Sequence, residues 1–148
     1  MAHYYPLAIN WTGNTLRSPY SREAVATATG KSPIPVSSAP EYAGDELRWN
    51  PEDLLGTALA TCHMLTFLAL CAKAKVEVTH YEGSAISVLD TLEKITRVTE
   101  IHLNPTIRVA PGTSKAKVED LFHKAHKYCF VANSIKSKVL MNPRIIEA

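Results

Sequence analysis

The sequence has little charge of either sign to set against a polyanion. Its 16 Lys+Arg face 14 Asp+Glu, a formal net charge of +2 over 148 residues, and no run of like charges stands out. Such a balance leaves no electrostatic footprint for nucleic acid or an acidic membrane surface, so neither is expected as a partner. Glycine is scarce, at six residues. None of the six builds a Gly-rich phosphate loop, a dinucleotide fingerprint or a Gly-x-Ser-x-Gly elbow, and no nucleotide cofactor is expected. Cys-x-x-Cys and His-Glu-x-x-His are missing as well. Cysteine itself is limited to Cys62, Cys71 and Cys129. An odd, low count in a chain this long is not a disulfide framework. The opening residues Met1-Ala2-His3-Tyr4-Tyr5-Pro6 carry neither a basic region nor an apolar stretch, so a reducing cytoplasm is expected. With no repeat, low-complexity segment or internal boundary in view, residues 1–148 are read as a single domain.

One long hydrophobic run is present. From Leu54 to Ala72 there is no Asp, Glu, Lys or Arg, and that length nearly spans a bilayer. It holds Gly56, Thr57, Thr61, His63 and Thr66, and no second such run exists. The reading is a buried helix at the centre of a soluble fold, with no membrane. Its start is well marked: Asn50 is a good N-cap, Pro51 sits where a missing N–H costs nothing, and Glu52 and Asp53 face the positive end of the dipole. The helix is expected over about 51–74.

Around it lie strand candidates. Tyr4–Trp11 and Arg22–Thr29 come first, followed by a proline-bearing edge at 32–36 and a loop over 37–49. After the helix come Val76–Ala85, Ala85–Glu93, Lys94–Leu103 and Ile107–Val109, mixed in polarity as on half-solvated antiparallel sheets. A second helix, about 114–128, is marked by Val118, Leu121, Phe122 and Ala125 at the helical period. Val139–Met141 reads as a last strand. This order is α+β rather than a regular βαβ winding.

Chemistry has few candidates. Cys62 lies mid-helix in Ala58-Leu59-Ala60-Thr61-Cys62-His63-Met64, where a free cysteine is ordinarily just a small hydrophobe. Cys71 fits that plain description. Cys129 ends the second helix, where another element can approach it. A zinc site competes for His123, His126 and Cys129, spaced i, i+3, i+6, to which Cys62-His63 could add a ligand. Six residues turn a helix by about 600°, however, so Cys129 points away from His123. The simple account of His123 and His126 is a polar helix face beside Lys124 and Lys127, and no metal is expected.

Two phrases carry a family resemblance. Asn50-Pro51-Glu52-Asp53-Leu54-Leu55, followed by an alanine-rich helix with Cys62 ten residues after Glu52, resembles the hallmark of the OsmC/Ohr hydroperoxide-reductase superfamily. Ala125-His126-Lys127-Tyr128-Cys129-Phe130-Val131-Ala132 resembles its second, late-cysteine motif, with phenylalanine where proline is commoner. The chain looks closest to an OsmC-like subgroup rather than to the best-studied branches. The resemblance implies an OsmC-like fold of antiparallel sheets around the central helix, assembled as an intertwined homodimer. It also implies reduction of organic, lipid-type hydroperoxides, with Cys62 peroxidatic, Cys129 resolving and an external dithiol of the lipoyl or thioredoxin type as reductant. The family's activating arginine maps first to Arg22, in Ser21-Arg22-Glu23, and second to Arg48, with Glu52 to orient it. A guanidinium favours the nucleophilic thiolate. Ten residues of helix rise about 15 Å, so Glu52 cannot sit beside Cys62 of its own helix, and a shared site implies a second subunit. A thiol redox sensor or small-molecule binder of the same fold is the alternative.

Overall fold

The computed structural model describes residues 1–148. The chain divides into two compact units, Met1–Leu54 and Leu55–Ala148.

In the first unit, β1 (Ala8–Asn10), β2 (Ala24–Thr27) and β3 (Ile34–Val36) form an antiparallel sheet in the order β1-β2-β3. The two first strand candidates shrink to three and four paired residues. Tyr4, Tyr5 and Leu7 stay exposed and outside β1. Proline-bearing β3 takes the edge, where a missing N–H leaves no gap in a central ladder. The loop that follows makes a 3-10 turn at Pro40–Tyr42 and returns so that Trp49 bridges Val36. Inside it the buried Ser37 hydroxyl accepts the Asp45 N–H at 3.0 Å. Gly44 is packed so tightly that a Cβ there would lie 1.6 Å from the Ser38 carbonyl oxygen.

Helix α1 (Pro51–Lys73) begins as its cap signals require. Asn50 Oδ1 accepts the Asp53 N–H at 2.8 Å, and Asp53 Oδ2 accepts the Asn50 N–H at 3.1 Å. Two otherwise orphaned donors are thereby satisfied reciprocally.

The second unit carries β4 (Val78–Glu82), β5 (Ala85–Leu92), β6 (Ile95–Leu103), β7 (Thr106–Val109), α2 (Lys115–Tyr128), β8 (Lys138–Met141) and β9 (Arg144–Glu147). Its sheets have the orders β4-β7-β9 and β5-β6-β8, each with one antiparallel and one parallel pairing. The breaks between them fall at matching levels: Gly83-Ser84, Asn104-Pro105 and Asn142-Pro143. Backbone bonds continue through the breaks, from Asn104 N–H to Ser84 O at 2.8 Å, from Asn142 N–H to Leu103 O at 2.9 Å and from Arg144 N–H to Pro105 O at 2.8 Å. One three-stranded ribbon is thus bent along a common line, where Pro105 and Pro143 have no N–H to donate and Gly83 has no side chain to pack. Strand β9 has no counterpart in the sequence reading.

Ile101, Ile107, Val109, Leu59, Phe67, Val118 and Phe122 are fully buried at the centre of the core. Helix α2 presents the expected stripe, Val118, Leu121, Phe122 and Ala125, and Ser114 caps it by accepting the Lys117 N–H. Within one chain, α1 is covered on one side only. Only Gly56, Leu59, His63, Phe67 and Cys71 are buried, a single face at helical spacing. Thr57, Ala58, Thr61, Leu65 and Ala69 are exposed. By length and composition α1 is also the one helix long and apolar enough to cross a membrane.

Candidate functional site

The Cys62 and Cys129 thiols come near enough to interact although 66 residues lie between them in the sequence. Helix α1 supplies Cys62, one turn before Thr66, whose hydroxyl donates to the Cys62 carbonyl at 2.8 Å. Helix α2 ends at Tyr128, and Cys129, its C-cap, turns extended with φ −71° and ψ 115°. That change of direction puts Cys129, Phe130 and Val131 in a corner facing Cys62. All three cysteines are free thiols, with Cys62 partly exposed and Cys71 and Cys129 buried.

The two thiols of the pair titrate in opposite directions. Burial by itself raises the Cys62 thiol. The Val131 N–H, the Cys129 thiol, the Phe130 N–H and the Thr66 hydroxyl together outweigh it and hold Cys62 below the ordinary cysteine value. Cys129 is pushed up, by its burial first and then by the adjacent Cys62, against a smaller opposing effect of the Ala132 and Val131 N–H groups. Ala132 N–H lies 3.5 Å from its sulfur. A pair split in this way has one member suited to carry the anion and one suited to keep its proton. Cys71 stands apart, its thiol raised to about 11 by burial alone.

The other expected residues lie in the first unit. Arg22 stacks 3.7 Å over the Tyr20 ring and donates to the Tyr20 carbonyl. Arg48 donates to Ala24 O at 3.1 Å and pairs with Glu23 at 3.4 Å and Asp45 at 3.8 Å. Glu52 opens α1, ten residues and about 15 Å of helical rise before Cys62.

In the sequence His63 is one polar residue within an apolar run and a candidate further ligand of the zinc reading. It is wholly buried, with Nε2 2.9 Å from the Phe122 carbonyl oxygen. Thr66 could have been found from its position four residues after Cys62, on the same helix face. The histidines read as a polar face also divide. His123 is exposed and its Nδ1 donates to Glu119 O at 2.9 Å, whereas His126 turns its Nδ1 into the protein without a partner. No three His, Cys, Asp or Glu side chains gather where they could hold a metal ion. A groove of about 540 Å³ runs along the pair of helices, between Leu70, Lys73 and Ala74 of α1 and its end and Leu121, Lys124 and Tyr128 of α2.

A family profile described as OsmC-like protein matches residues 44–143, which include both cysteines. The chain belongs to the OsmC-like protein family. Peroxiredoxin OsmC of Escherichia coli is 24% identical over 134 residues, covering 90% of each chain. The uncharacterized protein YmaD of Bacillus subtilis is 24% identical over 141 residues, covering 93% of this chain and 89% of YmaD. Among solved structures, an OsmC-like protein of unknown function from Vibrio cholerae superposes with a TM-score of 0.86 at 30% identity, over 96% of this chain and 99% of that one. An organic hydroperoxide resistance protein OsmC from Legionella pneumophila shares the fold, with a TM-score of 0.70 at 18% identity over 98% of each chain. The α+β architecture is thus the OsmC/Ohr fold.

Proposed function

We propose that this OsmC-like protein reduces organic, lipid-type hydroperoxides to alcohols by a two-cysteine mechanism. The observation that carries the reading is the convergence of the Cys62 and Cys129 thiols, near enough to hydrogen-bond, at a corner where the Val131 and Phe130 N–H groups face Cys62. The Cys62 thiolate attacks the terminal peroxide oxygen and the O–O bond breaks. One oxygen stays as Cys62 sulfenic acid, and the other leaves as the alcohol after taking a proton. The Cys129 thiol then attacks the sulfenic sulfur, the S–O bond breaks, and the thiol proton leaves with the hydroxyl as water while the disulfide closes. An external dithiol of the lipoyl or thioredoxin type reduces that disulfide by exchange. Cys62, the lower-pKa and more exposed thiol, suits the first attack. Arg22 and Glu52 complete the site from a second subunit of a homodimer, Arg22 favouring the thiolate and Glu52 orienting it. The protein works in the cytoplasm, without a cofactor or metal.

A single-turnover assay with cumene hydroperoxide, followed by mass spectrometry of the thiols, tests this. Cys62→Ser abolishes peroxide consumption. Cys129→Ser consumes one equivalent and leaves sulfenic acid at Cys62. Protection of Cys62 from oxidation in the Cys129→Ser protein would reverse the two roles. A second reading, a redox sensor or small-molecule binder without turnover, is favoured by the groove, whose apolar wall carries Lys73 and Lys124. One oxidation event with no turnover under any dithiol would select it.

A further inference from the structure

The residue after Cys62 has no part in the two-cysteine chemistry, yet it is the most unusual polar group in the core. His63 has no exposed surface. A carbonyl oxygen only accepts, so the 2.9 Å contact with Phe122 O fixes the proton on Nε2. Nδ1 is then a buried lone pair, and it has no partner. The ring meets Phe122 edge-on, with centroids 4.4 Å apart, and Phe67, one turn further along the same face of α1, meets the same Phe122 ring with centroids 5.5 Å apart. An apolar side chain of similar size would fill this space without stranding a nitrogen. Packing therefore does not account for a histidine here. Burial pushes it down to about 4, with His126 and then His123 adding repulsion from α2, so it is neutral at ordinary pH.

What the imidazole supplies that an apolar ring cannot is direction. Contacts among Phe67, Phe122 and Leu59 hold α1 near α2 but tolerate rotation of either helix about its axis. A hydrogen bond from α1 to one backbone carbonyl of α2 does not. Phe122 lies seven residues, two helical turns, before Cys129. We propose that His63 is a positioning residue for the cysteine pair, its bond to the Phe122 carbonyl setting the rotation and register of α1 on α2 that keep the Cys62 and Cys129 thiols in reach of each other. This role rests on reading the two cysteines as a redox pair.

The test needs no peroxide. Reduced protein is equilibrated with glutathione buffers, in which one oxidised glutathione takes two electrons from the pair. Cys62 and Cys129 lose their protons and join as a disulfide, and two reduced glutathiones are released. The equilibrium constant is read by quantifying free thiols, in a Cys71→Ala background. His63→Leu lowers it tenfold or more. His63→Gln, whose amide nitrogen can donate near the Nε2 position, stays within threefold of the parent. Ile107→Val, a cut in the core on β7, lowers the melting temperature without moving the constant. The proposal is overturned if His63→Leu matches the parent. It is equally overturned if His63→Gln fails as badly as His63→Leu, or if Ile107→Val shifts the constant as much for the same loss of melting temperature. A parent protein that forms no Cys62–Cys129 disulfide in any buffer would instead overturn the redox pairing, and this role with it. A failed peroxidase assay alone leaves the expected constants unchanged.

Discussion

Within one chain, the help given to the Cys62 thiolate comes from neutral donors. A full positive charge beside the sulfur is the familiar way to lower a thiol, but the donors identified around it in the second unit are the Val131 and Phe130 N–H groups, the Cys129 thiol and the Thr66 hydroxyl. The phenylalanine after Cys129 thereby acquires a physical meaning, because proline there would have no N–H to offer. Phe130 itself is 81% exposed, so its ring is not what the site needs. Phe130→Pro is expected to raise the Cys62 thiol and slow its alkylation by iodoacetamide several-fold at pH 7. Phe130→Ala leaves the rate within twofold, and Cys71, raised to about 11, stays unmodified in all three proteins. Equal slowing by alanine would show that the side chain, not the N–H, is what matters. His63 gives a second expectation. Its folded value, about 4, lies below its ordinary 6.5, so the unfolded chain binds the proton more readily. Its contribution to stability is complete above pH 6.5 and is lost as the pH falls toward 4, by roughly 3 kcal/mol at most. Urea midpoints from pH 7.5 to 4.5 measure this, and His63→Gln should flatten the acid limb. The cysteines were legible because motif spacing marks them. The N–H donors were not, because every non-proline residue carries one and only the fold decides where it points.

Among the elements, helices were more legible than strands. Both helix starts are written in local chemistry, Asn50-Pro51 and Ser114, and both buried stripes follow the helical period. Strand pairing depends on partners far along the chain. Tyr4–Trp11 contracts to Ala8–Asn10 because only those residues find a partner in β2. Strand β9 escaped notice because Arg144-Ile145-Ile146-Glu147 is short and earns its place through parallel pairing with β7. The β5–β6 hairpin shows a local preference overridden. Its two-residue turn holds Glu93 at φ 52° and Lys94 at φ 66°, left-handed positions that glycine and asparagine occupy more readily. The long register from Ala85↔Leu103 to Leu92↔Ile95 imposes that turn. Replacing the pair, Glu93→Asn with Lys94→Gly, is expected to stabilise the protein by about 1 kcal/mol. Chemical denaturation should show a raised midpoint at unchanged slope. A lowered midpoint would mean that the two side chains make contacts outweighing their backbone strain.

For the molecule as a whole, the informative feature is the apolar surface that one chain leaves bare. Tyr4 is 85% exposed, Tyr5 82%, Leu7 72%, Ile9 59% and Leu47 89%. On α1, whose sequence is apolar nearly all round, Leu65 is 57% exposed opposite the buried stripe. Singly exposed apolar residues are ordinary, but four within six positions, on a segment with only three paired residues, are not. Each 100 Å² of such surface covered contributes about 2.5 kcal/mol. A second copy of the chain is the partner we propose to cover it. A two-fold arrangement repeats each contact, so one complementary patch is satisfied twice. It also offers the only route by which Glu52 could serve a Cys62 thiol, since their own shared helix holds them about 15 Å apart along its axis. Sedimentation at micromolar concentration is therefore expected to give a species of twice the 16.3 kDa chain mass. Replacing Tyr5 and Leu7 together by serine should shift it toward monomer and lower peroxide turnover in parallel, while a Cys62→Ser dimer stays intact. A monomer that is well folded and fully active would refute both the assembly and the shared site. A dimer with full activity after Glu52→Gln would keep the assembly and remove Glu52 from the chemistry.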